Sequence, residues 1–290
     1  MKQILYTALV TPFDAQGENI DYKSLEKLVR AQEKANNGIV LMGSTGEGLS
    51  LCDHERQKIV EFVLALKPQT QILVGVPSFN LRVALNWLSF CRNLPIDGYL
   101  MTTPMYTKPG VLGQSAWFEK LLDHAAHKAM LYNIPGRSGI KLHAEAIKNL
   151  KHHERLWALK DSSGSVDSLI EYQEASPNLE IFCGDDYLMP AAAAHGARGL
   201  VSVASNAWPQ ACRRYVALAL DNIKFETLHW WQAGRAFSNA SNPIPVKALL
   251  KDLGYINSDQ VRLPLSIKDL PSRQILLALH EKLHNWDHHV

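Results

Sequence analysis

The sequence predicts a closed (β/α)₈ barrel, and two observations support this fold class. Short apolar segments rich in Val, Ile and Leu alternate with longer segments of helical periodicity, which is typical of parallel strands joined by helical crossovers. About 220 residues hold eight such units, as in a TIM barrel, whereas a doubly wound open sheet more often has fewer strands and a nucleotide-binding fingerprint. The strand candidates are residues 4–10, 38–42, 71–76, 97–102, 129–133, 156–160, 180–183 and 198–203.

The helices between these strands carry apolar stripes. Residues 22–35 form the first predicted helix, and Asp21 precedes them as an N-cap candidate. Leu25, Leu28 and Val29 lie on one face of that helix at helical spacing. Such a face is expected to pack on the outside of the barrel.

The last part of the chain lacks a strand pattern. Residues 224–290 contain two or three further helices, including 225–238 and 273–285. We therefore predict a catalytic barrel over residues 1–223 and a C-terminal helical extension over residues 224–290.

Composition and charge exclude several classes of protein. With 47% apolar and 20% charged residues the chain is ordinary globular, and its formal charge is only +2. No Lys/Arg block forms a polyanion-binding face, and no apolar run reaches the roughly 18 residues of a membrane span. Nucleic acid and membrane partners are therefore not expected.

The cysteines and the opening residues indicate a cytoplasmic protein. The chain leads directly into a strand-like segment without a cleavable signal pattern. Its cysteines lie far apart, with no spacing typical of a zinc site or a redox dithiol, and they are interpreted as reduced and structural. They are Cys52, Cys91, Cys183 and Cys212.

Active sites of such barrels lie at the carboxyl ends of the strands, and the first reactive segment there is residues 43–48, Gly-Ser-Thr-Gly-Glu-Gly. Its glycines let main-chain N–H groups turn toward a ligand, and the hydroxyls of Ser44 and Thr45 add donors. This combination suits a small carboxylate. The alternative interpretation is an ordinary tight loop between a strand and a helix.

Lys160 ends the sixth predicted strand, directly after apolar residues. A lysine at this place can point into the barrel mouth, where burial favours the neutral amine over the ammonium form. A neutral amine can form a Schiff base with a carbonyl substrate. Most lysines are instead solvated surface groups, and position is what favours the catalytic interpretation here.

Two further loops carry candidate groups. Tyr132 lies at the end of the fifth strand and Arg137 follows it, and here the phenol can move a proton and the guanidinium can hold a carboxylate. A rigid loop bracketed by prolines at 104 and 109 follows the fourth strand and presents Tyr106. Considered alone, Tyr132 is explained equally well as a packing residue at a strand end. Arg137 is explained equally well as a solvent-exposed side chain.

One metal-like motif is discounted. His280 and His284 match the H-E-x-x-H spacing of zinc proteases, but they lie on a helix close to the end of the sequence rather than beside a strand end. A polar helix end with histidines that favour the helix dipole explains them better. No Walker loop, no G-x-G-x-x-G after a strand and no G-x-S-x-G is present.

Five motifs occur together, in one order, over nearly the whole chain. They are Gly43-Ser44-Thr45-Gly46-Glu47, Tyr132-Asn133-Ile134-Pro135-x-Arg137, Leu159-Lys160-Asp161, Gly184-Asp185-Asp186 and Asn242-Pro243-Ile244-Pro245-Val246-Lys247. This set resembles the dihydrodipicolinate synthases. The resemblance implies a pyruvate-dependent class I aldolase-type lyase of the lysine and diaminopimelate pathway, with no metal or organic cofactor. It also implies a homotetramer built from tight dimers.

The resemblance assigns a role to each matching position. Lys160 forms the imine with pyruvate, Thr45 and its loop hold the pyruvate carboxylate, and Arg137 binds the carboxylate of L-aspartate 4-semialdehyde. Main-chain contacts and the proton relay complete the implied site. The contacts come from Gly184 and Val201, and the relay consists of Tyr132, Ser44 and Tyr106, the last reaching in from a neighbouring subunit.

Departures from the family pattern leave two alternatives open. Ser44 is more often Thr in the synthases and resembles the N-acetylneuraminate lyases, whereas Arg137 favours the synthase because the lyases generally lack it. Met105 stands where the family often has a Tyr directly before the relay tyrosine. The alternatives are a related lyase that releases pyruvate from a sugar acid or hydroxy-oxo acid, and a barrel retained as a non-catalytic binding protein.

Feedback inhibition by lysine is expected to be weak or absent. Inhibited members carry acidic, His and Tyr groups at the dimer interface, and here Asn80 alone is kept while Ala84 stands where a carboxylate would meet the effector amine. The matching positions are Gly48, Leu49, Asp53, Arg56, Asn80, Ala84 and Met105.

Overall fold

The computed structural model describes residues 3–289 of the chain, and for residues 287–289 the backbone alone. Eight parallel strands form a closed barrel in sequence order, which confirms the predicted TIM barrel. Each strand lies within two residues of its predicted bounds at either end. The strands are β1 Leu5–Ala8, β2 Gly38–Leu41, β3 Ile72–Gly75, β4 Gly98–Thr102, β5 Lys128–Asn133, β6 Leu156–Asp161, β7 Glu180–Cys183 and β8 Gly199–Ser202.

Helices surround the barrel and continue beyond its last strand. The predicted helix 22–35 is present, and the Asp21 side chain caps it by accepting a hydrogen bond from the main-chain N–H of Ser24 at 3.0 Å. The helices are α1 Tyr22–Lys34, α2 Asp53–Ala65, α3 Leu81–Cys91, α4 Val111–His124, α5 Pro135–Ser138, α6 Ala144–Leu150, α7 Val166–Ala175, α8 Met189–Ala194, α9 Pro209–Leu220, α10 Leu228–Phe237, α11 Ile244–Asp252 and α12 Gln274–His289. Short 3₁₀ turns cover Gly48–Ser50, Asp186–Leu188, Ala204–Asn206 and Ile267–Asp269.

The alternation of side chains along the strands separates two cores. Outward-facing residues pack against the helices, and inward-facing residues fill the barrel. In β6 the outward Leu159 belongs to the outer core while Ala158 belongs to the inner one. Lys160 follows with the inward orientation of Ala158. The period of two therefore places the lysine at the top of the barrel interior.

The inner core is closed at the opposite end by aromatic rings. Tyr6, Trp157 and Phe182 meet edge to face, with ring centroids 5.6–6.2 Å apart. The Tyr6 hydroxyl donates to the Gln71 side chain at 2.5 Å. Because this end is filled, a small ligand enters the barrel from the carboxyl ends of the strands.

The C-terminal helices share the outer core of the barrel. Trp230 of α10 stacks on Tyr215 of α9 with ring centroids 4.2 Å apart, and α12 buries Leu276, Leu279 and Leu283 in the same apolar cluster. The predicted helix 225–238 begins at Leu228, and the predicted helix 273–285 begins at Gln274. The division of the chain into two domains at residue 223 stays a prediction.

No helix in the described part of the chain is both long and apolar enough to cross a membrane. All the cysteines are free thiols, and Cys52 is the exposed one. Burial raises the pKa of the Cys91 thiol to about 12, so this group behaves as a small apolar side chain.

Candidate active site

A cavity of about 870 Å³ opens at the carboxyl ends of the strands. It contains most of the residues that the sequence motifs single out. The residues of that set that line it are Ser44, Thr45, Tyr132, Arg137, Lys160 and Gly184.

Lys160 is buried in the wall of this cavity, with 4% of its surface exposed. It lies beside Tyr132 in the register of β5 and β6, and its Nζ is 4.2 Å from the centroid of the Tyr132 ring. Among the side chains of residues 3–286, no carboxylate forms an ion pair with this amine. The arrangement presents a buried amine next to a phenol in a space that a small carbonyl compound can enter.

Gly184 makes room for the lysine. A Cβ atom at this position would lie 2.8 Å from Lys160 Cε and 1.9 Å from Ser162 Oγ, so no other residue fits without displacing both. Ser162 lines the cavity, and its buried Oγ has no hydrogen-bond partner in the structure. The glycine is therefore required by the close approach of its neighbours.

The turn at residues 43–48 is held in a strained and dense conformation. Met42 and Glu47 adopt positive φ angles of 56° and 52°, and a Cβ on Gly48 would lie 2.1 Å from the Met42 carbonyl oxygen. The Thr11 hydroxyl donates to the Gly46 carbonyl at 2.7 Å. The hydrogen bonds within the turn use the main-chain N–H groups of residues 47 and 48, and those of residues 44 and 45 are not used there.

Asn242 joins two of the predicted binding residues. Its side-chain Nδ2 donates to Thr45 Oγ1 at 2.9 Å, and its main-chain carbonyl accepts from the Arg137 guanidinium at 2.8 Å. Because Asn242 occupies an acceptor site of the Thr45 oxygen, the Thr45 proton is available to donate elsewhere. The short helix α5 presents Arg137 at the rim of the cavity.

A buried ion pair lies directly behind the turn. Lys247 Nζ donates to Glu47 Oε1 at 2.5 Å and to the Gln260 carbonyl at 2.8 Å, and the Lys247 side chain is fully buried. The main-chain N–H of Arg262 donates to Glu47 Oε2 at 2.8 Å. Burial lowers the pKa of Lys247 to about 8, with Glu47 opposing the shift.

Three acids lie close to Lys160 in the sequence or in space, and each of them accepts hydrogen bonds from other residues. They are Asp161, Asp185 and Asp186. Asp161 accepts hydrogen bonds from Asn133 and Ser163, and Asp186 accepts from Ser202 and from main-chain N–H groups. Burial raises the pKa of both carboxyls. Burial also raises the pKa of Asp185 to about 6, although the Gly164 N–H donates to it at 3.1 Å.

The sequence matches a known protein family over almost its full length. The model of the dihydrodipicolinate synthetase family matches residues 1–282. The chain belongs to this family. Its relatives include the 4-hydroxy-tetrahydrodipicolinate synthases of Wolbachia pipientis wMel, 54% identical over 97% of this chain and 96% of the relative, and of Chlamydia felis, 44% identical over the same shares.

Solved structures of the family resemble this chain over almost its full length. The synthase of Methylacidiphilum fumariolicum SolV superposes with a TM-score of 0.91 at 29% identity, covering 100% of this chain and 99% of that one. The chloride-inhibited synthase of Acinetobacter baumannii, complexed with pyruvate, gives 0.88 at 27% identity and covers 98% and 99%. The predicted family and synthase activity are confirmed, and the lyase alternative is not favoured.

Two predicted site residues lie outside the cavity of this dihydrodipicolinate synthetase family member. Tyr106 is 92% exposed, at a positive φ of 69°, whereas its neighbour Met105 lines the cavity. Val201 is fully buried in the inner core beneath the site, and Val203 lines the cavity instead. The roles assigned to Tyr106 and Val201 therefore stay predictions.

The groups that support the site have no role that their residue types alone indicate. They are Asn242, Glu47 and Lys247, all of which belong to motifs of the family. A lysine inside the apolar segment Ile-Pro-Val-Lys-Ala-Leu-Leu of α11 is a detectable signal, because such a position faces the core.

The histidines near the end of the chain have a structural environment. Trp208 Nε1 donates to His280 Nδ1 at 3.0 Å, and the His280 ring stacks on His284 with centroids 6.0 Å apart. Burial lowers the pKa of His280. Within the described residues, no group of three or more His, Cys, Asp or Glu side chains is arranged to hold a metal ion.

Proposed function

We propose that this family member condenses pyruvate with L-aspartate 4-semialdehyde and that Lys160 carries the reaction as a Schiff base. One observation supports this above all others. The buried Lys160 amine, the Tyr132 ring at 4.2 Å, the 43–48 turn and Arg137 all line one cavity. This is the set of groups that imine formation, proton transfer and the binding of two carboxylates require.

The first half of the reaction activates pyruvate. The Lys160 amine adds to the ketone carbon, and loss of water gives an iminium that withdraws electrons from the adjacent methyl group. The carboxylate binds at the turn, where Thr45 and the main-chain N–H groups of residues 44 and 45 are donors. Tyr132 and Ser44 then move the proton that leaves the methyl group, which gives the enamine.

The second half forms the ring. The enamine carbon attacks the aldehyde carbon of the semialdehyde, whose carboxylate is held by Arg137 at the rim. The amino group of the substrate then attacks the iminium carbon. This step breaks the bond to Lys160 and releases the enzyme amine together with the cyclic hydroxy acid. No metal or organic cofactor takes part in the proposed sequence.

Trapping of the imine tests the proposal. Incubation with pyruvate and borohydride, followed by peptide mass mapping, is expected to find the reduced adduct on Lys160. The K160A variant should take up no label, and R137A should be labelled normally while condensation fails. An adduct on another lysine, or no adduct in the unchanged protein, would refute the assignment.

We also propose that the chain forms a homotetramer of tight dimers in which Tyr106 of one subunit completes the relay of its neighbour. The support is the 92% exposure of the Tyr106 side chain outside its own cavity. Sedimentation should give a tetramer, and Y106F should lower kcat without changing the mass of the particle. A fully active monomer would contradict this role. A cytoplasmic location is proposed with it.

We also propose that lysine inhibits this chain weakly or not at all, because of the residues at the positions that match the effector pocket of inhibited members. The Asn80 side chain caps α3 by accepting from the Val83 N–H at 3.2 Å, and Ala84 is fully buried. The synthase of Cyanidioschyzon merolae, which resembles this chain with a TM-score of 0.86 at 29% identity, was crystallised with lysine bound and is a suitable control. An inhibition constant below one millimolar for this chain would overturn the proposal.

A further inference from the structure

Lys247 is a second buried lysine near the cavity, and the reaction outlined above does not use it. Its side chain has no exposed surface, and its amine lies 4.0 Å from the centroid of the Phe13 ring. The partner is Glu47, which is 4% exposed and belongs to the turn that lines the cavity. An ion pair buried this completely is weak evidence for stability alone, because removing both charges from water is costly.

The ion pair connects two parts of the chain that are distant in sequence. Glu47 adopts a left-handed conformation that non-glycine residues rarely populate, so the turn needs external contacts to keep this shape. Lys247 and the main chain of Arg262 each take one oxygen of the Glu47 carboxylate. The C-terminal segment therefore fixes the orientation of the turn from behind.

We propose that Lys247 is a positioning residue for pyruvate: through Glu47 it holds the 43–48 turn in the shape that presents Ser44 and Thr45 to the substrate carboxylate. Asn242, five residues earlier in the same segment, reaches Thr45 itself at 2.9 Å. The Asn242–Lys247 segment thus contacts the turn at two residues, Thr45 and Glu47. This inference rests on the proposed role of the turn in binding pyruvate.

The variants separate positioning from stability. E47Q keeps the shape of Glu47 and removes its charge, K247M removes the amine, and the double variant E47Q/K247M removes both. D252N is the matched control, because Asp252 lies on the same helix and pairs with Arg273 at 3.0 Å away from the turn. For each protein the measurements are the melting temperature, the KM for each substrate, and borohydride labelling over a range of pyruvate concentrations.

We expect E47Q to raise the KM for pyruvate by about 10-fold or more and to change the KM for the semialdehyde by less than about 2-fold, because small displacements of a binding group are costly. Labelling of Lys160 should recover at saturating pyruvate. The double variant should melt at a higher temperature than E47Q, while its KM for pyruvate stays as high as that of E47Q. D252N should leave both KM values unchanged.

Three outcomes would overturn the inference. One is an unchanged KM for pyruvate in E47Q, and another is an equal rise of both KM values. The third is a KM for pyruvate that follows the melting temperature across the set, as a purely structural role requires. If K247M does not fold, E47Q decides alone. Failure of the proposed function is seen separately, since the unchanged protein would then take up no pyruvate label on Lys160.

Discussion

Two lysines are buried among the residues that the structure describes, and they differ in what surrounds the amine. Lys160 is the penultimate residue of β6 and faces a cavity, with an aromatic ring at 4.2 Å and no ion pair in the described part of the chain. Lys247 lies inside a helix with no exposed surface, and its amine contacts a carboxylate and a carbonyl. The same residue type is therefore placed for reaction in one region and for support in the other.

The difference shows that burial alone does not define a catalytic lysine. A contacting carboxylate occupies the donors of the amine, and an amine without exposed surface cannot be reached by a carbonyl compound. Lys160 has an approach path for a substrate and lacks such a contact. Lys247 has the contact and lacks the path, so it is expected to take up no pyruvate label.

The largest effect is expected from K160A. Removing the amine should lower kcat for condensation by roughly 10³-fold or more, because no other described lysine lines the cavity. Circular dichroism should show an unchanged fold. Condensation that persists in K160A would show that a group other than Lys160 is the nucleophile.

A second large effect is expected from G184A, which keeps the Lys160 side chain but removes the space beside it. The added methyl group would lie 2.8 Å from Lys160 Cε and 1.9 Å from Ser162 Oγ. We expect kcat/KM for pyruvate to fall by about 100-fold, because the amine is displaced from its approach to the ketone. S162A is the control, and G184A/S162A should recover part of the loss. Full activity in G184A would show that the site tolerates movement of the lysine.

The sequence predicts the catalytic region better than the supporting one, and the reason is physical. The period of two in β6 and the apolar residues before Lys160 place it at a strand end, so its position follows from local pattern. Asn242 and Thr45 are 197 residues apart in sequence, and Glu47 and Lys247 are 200 apart. No local pattern specifies these pairs, because they depend on how the C-terminal helices dock on the barrel.

Tyr106 and Val201 lie outside the cavity for reasons of packing, which the family pattern does not specify. A single chain leaves Tyr106 exposed, and its proposed partner belongs to another subunit. Alternation along β8 places Val201 in the inner core and its second neighbour Val203 at the cavity. The family pattern indicates which residue has a role, whereas the packing determines whether its side chain or its main chain can reach the ligand.

A moderate effect on stability is expected from E55Q, which affects the partly exposed ion pair beside Lys247. Arg262 donates two hydrogen bonds to Glu55, at 2.6 and 2.7 Å, and holds its pKa at about 2 rather than 4.5. Because the folded-state pKa is lowered, this pair stabilises the fold fully above about pH 4.5 and loses its effect as the pH falls to about 2. With both side chains partly exposed, we expect E55Q to lower the free energy of unfolding by about 1–2 kcal/mol at pH 7.

Urea unfolding between pH 7 and pH 2.5 measures this effect. The difference between E55Q and the unchanged protein should shrink as the pH falls. A difference that stays constant over this range would show that the ion pair is not its cause. The KM for pyruvate should change less in E55Q than in E47Q, since Glu55 lies outside the turn.

The smallest effect is expected from S44T, which tests how firmly the turn is already held. The added methyl group restricts χ1 of the hydroxyl-bearing side chain, so the relay to Tyr132 has fewer orientations to lose in the transition state. If the Glu47–Lys247 pair fixes the backbone of the turn but leaves the Ser44 hydroxyl to rotate, kcat should rise by up to about 3-fold at an unchanged KM for pyruvate. Steady-state kinetics of S44T beside S44A, which lacks the hydroxyl, measures this. A fall in kcat for S44T would mean that the methyl group does not fit the packing behind the turn, and the ion pair would then determine side-chain space as well as backbone shape.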